Sequence, residues 1–273
     1  MSRFSDCFLL VFGQLAVGGL AGLAVPPFTG IDRGFYRSSA GIFLGFAVLF
    51  LVGKVALLFR NGDTSESAFL EIAAWVAFTG CLGLYVASLW SDSNTLRARS
   101  FAAALLLGVL ALTISALRFH VGPWLGPALF LYPLAFVTGA LVLGAVATGM
   151  LLGHWYLIDL GLSIDPLQRL LRYFVSVLLL QLSLALVTLV LVAVSSSDGA
   201  TAVARLWQEH TPLVTTRLLL GPLAALGVAW LIHRTLRIPQ TMAATGLFYI
   251  AILAVLVGEM LGRLILFRTS LPL

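Results

Sequence analysis

Apolar residues fall in eight long runs along the chain, and short polar segments separate the runs. A helix needs about 20 apolar residues to cross a hydrocarbon core about 30 Å thick. The runs therefore predict eight membrane-spanning helices, at residues 7–25, 41–59, 68–90, 101–117, 128–155, 169–194, 212–234 and 241–267. Turn-forming residues interrupt the runs, among them Pro26-Pro27, Asn61-Gly62-Asp63 and Asp165-Pro166. The predicted fold class is an all-α, polytopic membrane helical bundle that forms a single transmembrane domain over residues 1–273.

Composition agrees with this pattern. Of the 273 residues, 60% are hydrophobic and only 10% are charged, and the mean hydropathy is +1.06. Soluble domains carry about 25% charged residues, so a soluble protein is excluded. The net charge of +5 comes from arginines that lie mostly in short loops. There they orient helices and meet anionic lipid head groups, so membrane lipid and not nucleic acid is the predicted partner.

The distribution of basic residues predicts an orientation. The loops after spans one, three, five and seven carry eight arginines, and the opposite side carries eight lysines and arginines. Three of the second group, Lys54, Arg217 and Arg263, lie inside spans or at their rims, which leaves five. Because cytoplasmic loops are enriched in Lys and Arg, eight against five predicts that both termini lie outside the cytoplasm. The eight arginines are Arg33, Arg37, Arg97, Arg99, Arg169, Arg172, Arg234 and Arg237.

Six polar residues interrupt five of the predicted spans. Since each span reverses the direction of the one before, all six map to the same, outer half of the membrane. They are Gln14, Lys54, Glu71, Arg217, Glu259 and Arg263. A charge at the bilayer centre costs about 2.5–3.5 kcal/mol, so such residues usually face the bundle interior. Glu259 and Arg263 are four residues apart and share a helical face, so they can pair. One interpretation is ion pairing that holds the bundle together, and the other is a pocket for an amphiphile with a polar head.

Such a pocket suits the oxidation of a quinol. The ring needs hydrogen-bonding groups at its oxygens, a carboxylate to accept a proton, and an apolar wall for the isoprenoid tail. Glu71 is the candidate proton acceptor, with Lys54 as a nearby cation. Gln14 is a candidate partner for a ring oxygen, while Arg217, Glu259 and Arg263 would shape the electric field.

The same residues carry a resemblance to a known family. The chain resembles the membrane anchor subunit of dimethyl-sulfoxide-reductase-type molybdoenzymes, which is related to the polysulfide-reductase anchor group. The similar segments are Val11-Phe12-Gly13-Gln14 with Gly18-Gly19, Leu70-Glu71-Ile72, Arg217, and Gly258-Glu259-Met260-Leu261-Gly262-Arg263. The resemblance implies a subunit of a bacterial or archaeal cytoplasmic membrane that oxidises exchangeable menaquinol. Its electrons would pass to an iron–sulfur subunit and then to a molybdopterin catalytic subunit, with Glu71 as a residue of the quinol site.

The chain also departs from the family pattern. The family has a histidine-containing stretch after span two, where this chain reads Val55-Ala-Leu-Leu-Phe-Arg60. Either Lys54 or Arg60 would have to replace that histidine, or the activity is altered. Two further hypotheses therefore stay open: a structural or assembly subunit without quinol activity, and a transporter of a small anion.

Histidines and cysteines bear on cofactors. Cys7 and Cys81 are the only cysteines and form no C-x-x-C motif, so no iron–sulfur or zinc frame is expected in this chain. A haem b in a bundle usually needs histidines from facing helices. His154 and His233 end spans five and seven, where histidine commonly caps or snorkels, so neither haem nor metal is expected. His154 with Asp159, and His233, remain candidates for a site at the inner face.

Overall fold

The computed structural model describes residues 2–62, 65–119, 128–159, 161–195, 203–204, 206–238 and 240–272. Within these residues the regular elements are helices, as predicted, and we number them in chain order. They are α1 (Ser2–Gly22), α2 (Arg33–Asn61), α3 (Glu66–Ser88), α4 (Asn94–Leu117), α5 (Ala128–Trp155), α6 (Asp165–Ser195), α7 (Thr211–Leu218), α8 (Ala224–Leu236) and α9 (Thr241–Thr269). A π-helical turn, Leu219–Leu223, joins α7 to α8.

Among the described residues, seven helical stretches are long and apolar enough to cross a membrane. They are α2 to α6, the combined stretch Thr211–Leu236, and α9. Their outward side chains are apolar, since Phe59, Leu106 and Val194 are 73–79% exposed. A surface of this kind is stable in lipid and would be a liability in water. The chain is thus an all-helical protein with the character of a multi-pass membrane protein. Helix α1 has a shorter apolar part, Cys7–Gly22.

Local capping explains where helices begin and end. The side chains of Asp32, Ser65 and Ser93 accept hydrogen bonds from the backbone N–H groups near the starts of α2, α3 and α4. Helix α2 ends at Gly62, which has φ +62° and donates its N–H to the Leu58 carbonyl. Because these caps lie outside the apolar run, α2 extends beyond the predicted span 41–59. The sequence predicted a turn at Asn61-Gly62-Asp63, and its last residue, Asp63, lies outside the described residues.

Helix α1 runs through the middle of the bundle in backbone contact with α5. A Cβ on Gly18 would lie 1.6 Å from the Ala140 carbonyl oxygen, and one on Gly144 would lie 1.9 Å from the Gly18 carbonyl carbon. Further along, Thr148 Oγ1 donates to the Gly19 carbonyl at 3.4 Å. Residue numbers rise together along both helices, so α1 and α5 are parallel. Small residues allow this close approach of the two backbones. In lipid, the resulting van der Waals packing drives helix association in place of the hydrophobic effect.

The stretch predicted as span seven is not one regular helix. Pro222 lies within the π-helical turn Leu219–Leu223, and proline has no N–H with which to continue the α-helical ladder. The turn also brings Gly221 against α9, since a Cβ on Gly258 would lie 2.5 Å from Gly221 Cα. This close approach places Arg217, in the last turn of α7, beside α9.

Candidate functional site

Glu71 is a buried carboxylate that three side chains contact. One of them belongs to α2, one belongs to α4, and one directly follows α4. Lys54 Nζ of α2 lies 3.1 Å from Glu71 Oε2, and Arg118 Nη1, just after α4, donates to the same oxygen at 2.5 Å. Ser115 Oγ donates to Glu71 Oε1 at 2.6 Å. Trp75 Nε1 in turn donates to Ser115 Oγ at 2.9 Å, which fixes that hydroxyl. Both carboxylate oxygens are therefore bonded, although Glu71 is only 3% exposed.

These groups border a cavity of about 250 Å³, which we call the Glu71 cavity. Helices α1, α2, α3, α4 and α9 all contribute to its wall. Besides Lys54, Glu71, Ser115 and Arg118, it is lined by Leu10, Phe50, Leu57, Leu58, Asn61, Ala68, Ile72, Phe119 and Phe267. The two cationic groups and one carboxylate give a formal charge of +1. A cavity in which a few polar groups converge beside apolar side chains is the usual form of a small-molecule site, and the wall here is richer in polar groups than most.

A second group of polar residues, which we call the Glu259 network, links α1, α6, α7 and α9. Arg263 Nη2 donates to Glu259 Oε2 at 2.9 Å, and Gln181 Nε2 donates to Glu259 Oε1 at 2.6 Å. Arg217 Nη1 lies 3.6 Å from Glu259 Oε1 and donates to the Gly258 carbonyl at 2.7 Å. Gln14 Oε1 accepts from Arg263 Nε at 3.2 Å. The charged and amide groups here bond mainly to one another, which is the arrangement expected of a structural network, although Arg263 Nη1 is buried without a hydrogen-bond partner.

Helix α5 closes this network tightly. Gln14 Nε2 donates to the Phe136 carbonyl at 2.8 Å, and the Arg263 guanidinium lies 4.7 Å from the centre of the Phe136 ring. A Cβ on Gly139 would lie 2.5 Å from Glu259 Oε2 and 2.6 Å from Arg263 Nη2. Gly139 is therefore the position on α5 that admits the ion pair. Arg263 is 1% exposed and so does not snorkel to the membrane surface.

The six polar residues predicted to converge are thus divided between two places. Lys54 and Glu71 line the Glu71 cavity, whereas Gln14, Arg217, Glu259 and Arg263 belong to the Glu259 network. Leu10 and Phe267 line the cavity, and Gln14 and Arg263 lie four residues further into the bundle on the same helices. Four residues are about one helical turn, or about 5.4 Å. The prediction of a single six-residue pocket therefore gives way to a cavity with an ion-pair network about one turn deeper.

The structure also adds residues that the sequence pattern did not single out. Arg118 had the character of a loop charge, because it follows the apolar run of span four. Its position at the end of an even-numbered predicted span, on the same side as Lys54, is the signal that could have placed it within reach of Glu71. Ser115 lies inside an apolar run and gave no such signal. Gln181 lies inside predicted span six, so it carried the same signal as Gln14 in span one, but it was missed. Arg60, the alternative to Lys54, is exposed and lines a different groove, outside the Glu71 cavity.

The structure does not assemble a site from the candidate inner-face residues. His154 and His233 are exposed, and Asp159 Oδ1 accepts a hydrogen bond from the Gly161 N–H at 3.2 Å. No hydrogen bond or ion pair joins any two of these three residues. Between α5 and α6, Tyr156 donates to the Ser163 carbonyl, and burial raises the pKa of Tyr156 to about 12, which keeps it a donor. Within the described parts of the chain, no group of three or more His, Cys, Asp or Glu residues is arranged to hold a metal ion.

Comparison with known proteins found no match: no protein-family model, no curated protein and no solved structure is similar to this chain.

Proposed function

We propose that this chain is a membrane anchor subunit that binds and oxidises menaquinol in the Glu71 cavity. The observation that carries the proposal is a buried carboxylate, with two cations beside it, at the wall of a cavity of about 250 Å³ that polar and apolar side chains line together. A ring with two hydroxyl groups matches the polar groups, and the apolar side chains of the wall match the faces of the ring. The resemblance to the anchor subunits of dimethyl-sulfoxide-reductase-type enzymes supports the same assignment.

The chemistry divides between this chain and its partner. Menaquinol gives up two protons and two electrons and becomes menaquinone. Glu71 accepts the proton of the ring hydroxyl that faces it, while Lys54 and Arg118 hold the carboxylate and donate hydrogen bonds toward a ring oxygen. The second proton leaves to water past Asn61 at the end of α2. Both electrons pass to an iron–sulfur partner subunit, which supplies a molybdopterin catalytic subunit.

Eight spans with both termini outside the cytoplasm are part of this proposal. Helix α1 lies parallel to α5 and alongside it, which is the relation of two odd-numbered spans. Arg33 Nη1 lies 3.8 Å from Asp92 Oδ1, which brings the loops after α1 and α3 to one end of the bundle. This end carries arginine-rich loops and faces the cytoplasm of a bacterial or archaeal cell. The Glu71 cavity then opens near the outer face, where protons are released.

Topology reporters test this arrangement. Fusions of a periplasm-active reporter and a cytoplasm-active reporter at Leu273 and at Gln240 are expected to place the two positions on opposite sides, with Leu273 external. A cytoplasmic Leu273 would contradict the orientation and would move the Glu71 cavity to the inner leaflet. Both positions on one side would contradict a membrane-crossing α9.

Quinone binding by the purified chain in lipid nanodiscs tests the site itself. The tailless ring 2-methyl-1,4-naphthoquinone is expected to bind, and Lys54→Met is expected to weaken binding about tenfold or more, the loss of a charged hydrogen bond. Arg60→Met is the matched control, since it removes a cation from the same helix outside the cavity. Calorimetry gives the dissociation constants. Absence of binding to the unmodified chain, or an equal effect of Arg60→Met, would contradict the proposal.

One observation favours a second candidate, an anion-binding function. The formal charge of +1 in the cavity suits an amphiphilic anion as well as a neutral quinol. Binding of an alkyl sulfonate in place of the naphthoquinone, with the same loss in Lys54→Met, would support the anion function. Binding of neither would leave the structural-subunit hypothesis.

A further inference from the structure

An open groove runs along the outside of the bundle between α1 and α2. Its volume is about 330 Å³, and Leu9, Gly53 and Ala56 form an apolar floor that ends beside Arg60. Ala56 is exposed, and so are the neighbouring Val52 (62%) and Phe59 (79%), so this side of α2 faces lipid. The groove is thus accessible to an apolar chain from the membrane.

Leu57 lines both this groove and the Glu71 cavity, and it is the residue that the two linings share. The cavity holds about 250 Å³, enough for a ring but not for a ring with a long isoprenoid chain. A ligand of that kind needs a lateral opening, and the groove meets the cavity lining at Leu57.

Gly53 sets the width of the groove. A Cβ at this position would lie 2.2 Å from Leu9 Cδ2, so any larger residue must push the Leu9 side chain into the groove or displace α1. Gly45, two turns earlier on the same helix, has nothing within 4 Å of a Cβ. Gly45 therefore only faces lipid, whereas Gly53 borders the groove.

We propose that the groove between α1 and α2 binds the isoprenoid tail of the ligand whose ring occupies the Glu71 cavity, with Leu57 as the boundary that the tail crosses. This inference rests on the proposed function, because it needs a ring-bearing ligand in the cavity. The tail lies on the floor formed by Leu9, Gly53 and Ala56 and continues into lipid.

Two ligands, one without a tail and one with a tail, distinguish binding in the groove from binding at the ring site. The full chain in nanodiscs is titrated with 2-methyl-1,4-naphthoquinone and with the same ring carrying a four-isoprene tail. Gly53→Leu is expected to raise the dissociation constant of the tailed ligand about tenfold or more, since several buried methylene groups lose their contacts. The tailless ring is expected to change by less than about twofold, and Gly45→Leu is expected to change neither ligand.

The outcomes are distinguishable. Equal binding of the tailed ligand by Gly53→Leu and the unmodified chain would overturn the groove assignment and leave the ring site intact. An equal loss for both ligands would also overturn it, because the substitution would then act on the ring site. Failure of both ligands to bind the unmodified chain would overturn the proposed function. Ala56→Phe fills the groove from its exposed side without the Leu9 clash, and it is expected to give the same selective loss if Gly53→Leu does not assemble.

Discussion

Replacement of Glu71 by glutamine is expected to slow menaquinol oxidation about 10²–10⁴-fold while the bundle stays assembled, the usual loss when a general base is removed. Glutamine keeps the shape of the side chain and can still accept the hydrogen bond from Ser115. It cannot accept a proton from the quinol hydroxyl. Lys54 and Arg118 remain 21% and 27% exposed in their side chains, so water or lipid head groups can solvate them after the carboxylate is lost. The expected result is an assembled but inactive subunit.

The measurement is the turnover of a menaquinol analogue by the complex that contains the partner subunits. Glu66→Gln is the matched control, because Glu66 is an exposed glutamate in the first turn of the same helix. It is expected to retain activity. Full turnover by Glu71→Gln would rule out Glu71 as the proton acceptor.

Glu259→Gln is expected to act on folding instead, with a loss of about 3–5 kcal/mol in the free energy of unfolding, the usual cost when one partner of a buried ion pair is removed. Arg263 is 1% exposed and Arg217 is 8% exposed, so both guanidinium groups are buried in the bundle. Glu259 is the one carboxylate that both arginines contact within the Glu259 network. Its neutralisation leaves two buried guanidinium groups without a counter-charge.

Thermal unfolding in a mild detergent measures this loss. The double variant Glu259→Gln with Arg263→Gln is expected to recover part of the stability, since it removes a charge together with its partner. Glu66→Gln serves again as the control and is expected to unfold like the unmodified chain. Unchanged stability of Glu259→Gln would show that the network does not hold the bundle together.

The contrast between Glu71 and Glu259 shows what the sequence could and could not predict. Long apolar runs predicted the helices, because a span in lipid must satisfy its backbone internally and cover its surface with apolar side chains. The alternation of direction placed both glutamates in one half of the bundle. It did not predict their separation, because that depends on the rotation of each helix about its axis and on the helix with which it packs.

The glycines of α1 and α5 and the π-helical turn at Pro222 show why the sequence did not predict this separation. The contact of Gly18 with Ala140 brings α1 and α5 together, and the neighbouring Gly139 leaves room for Arg263. Glycine is common in membrane helices, so no single glycine indicated this contact in advance. The π-helical turn at Pro222 changes the direction in which Arg217 points, an effect that an uninterrupted apolar run does not reveal.

Whether a quinol ring occupies the Glu71 cavity can be seen in an experimentally determined structure of the chain in lipid nanodiscs with the tailed naphthoquinone. We expect density for the ring within hydrogen-bonding distance of Glu71 and Lys54, and density for the tail between α1 and α2. Density for the ring elsewhere, or a Glu71 cavity filled only by lipid acyl chains at saturating ligand, would contradict this expectation.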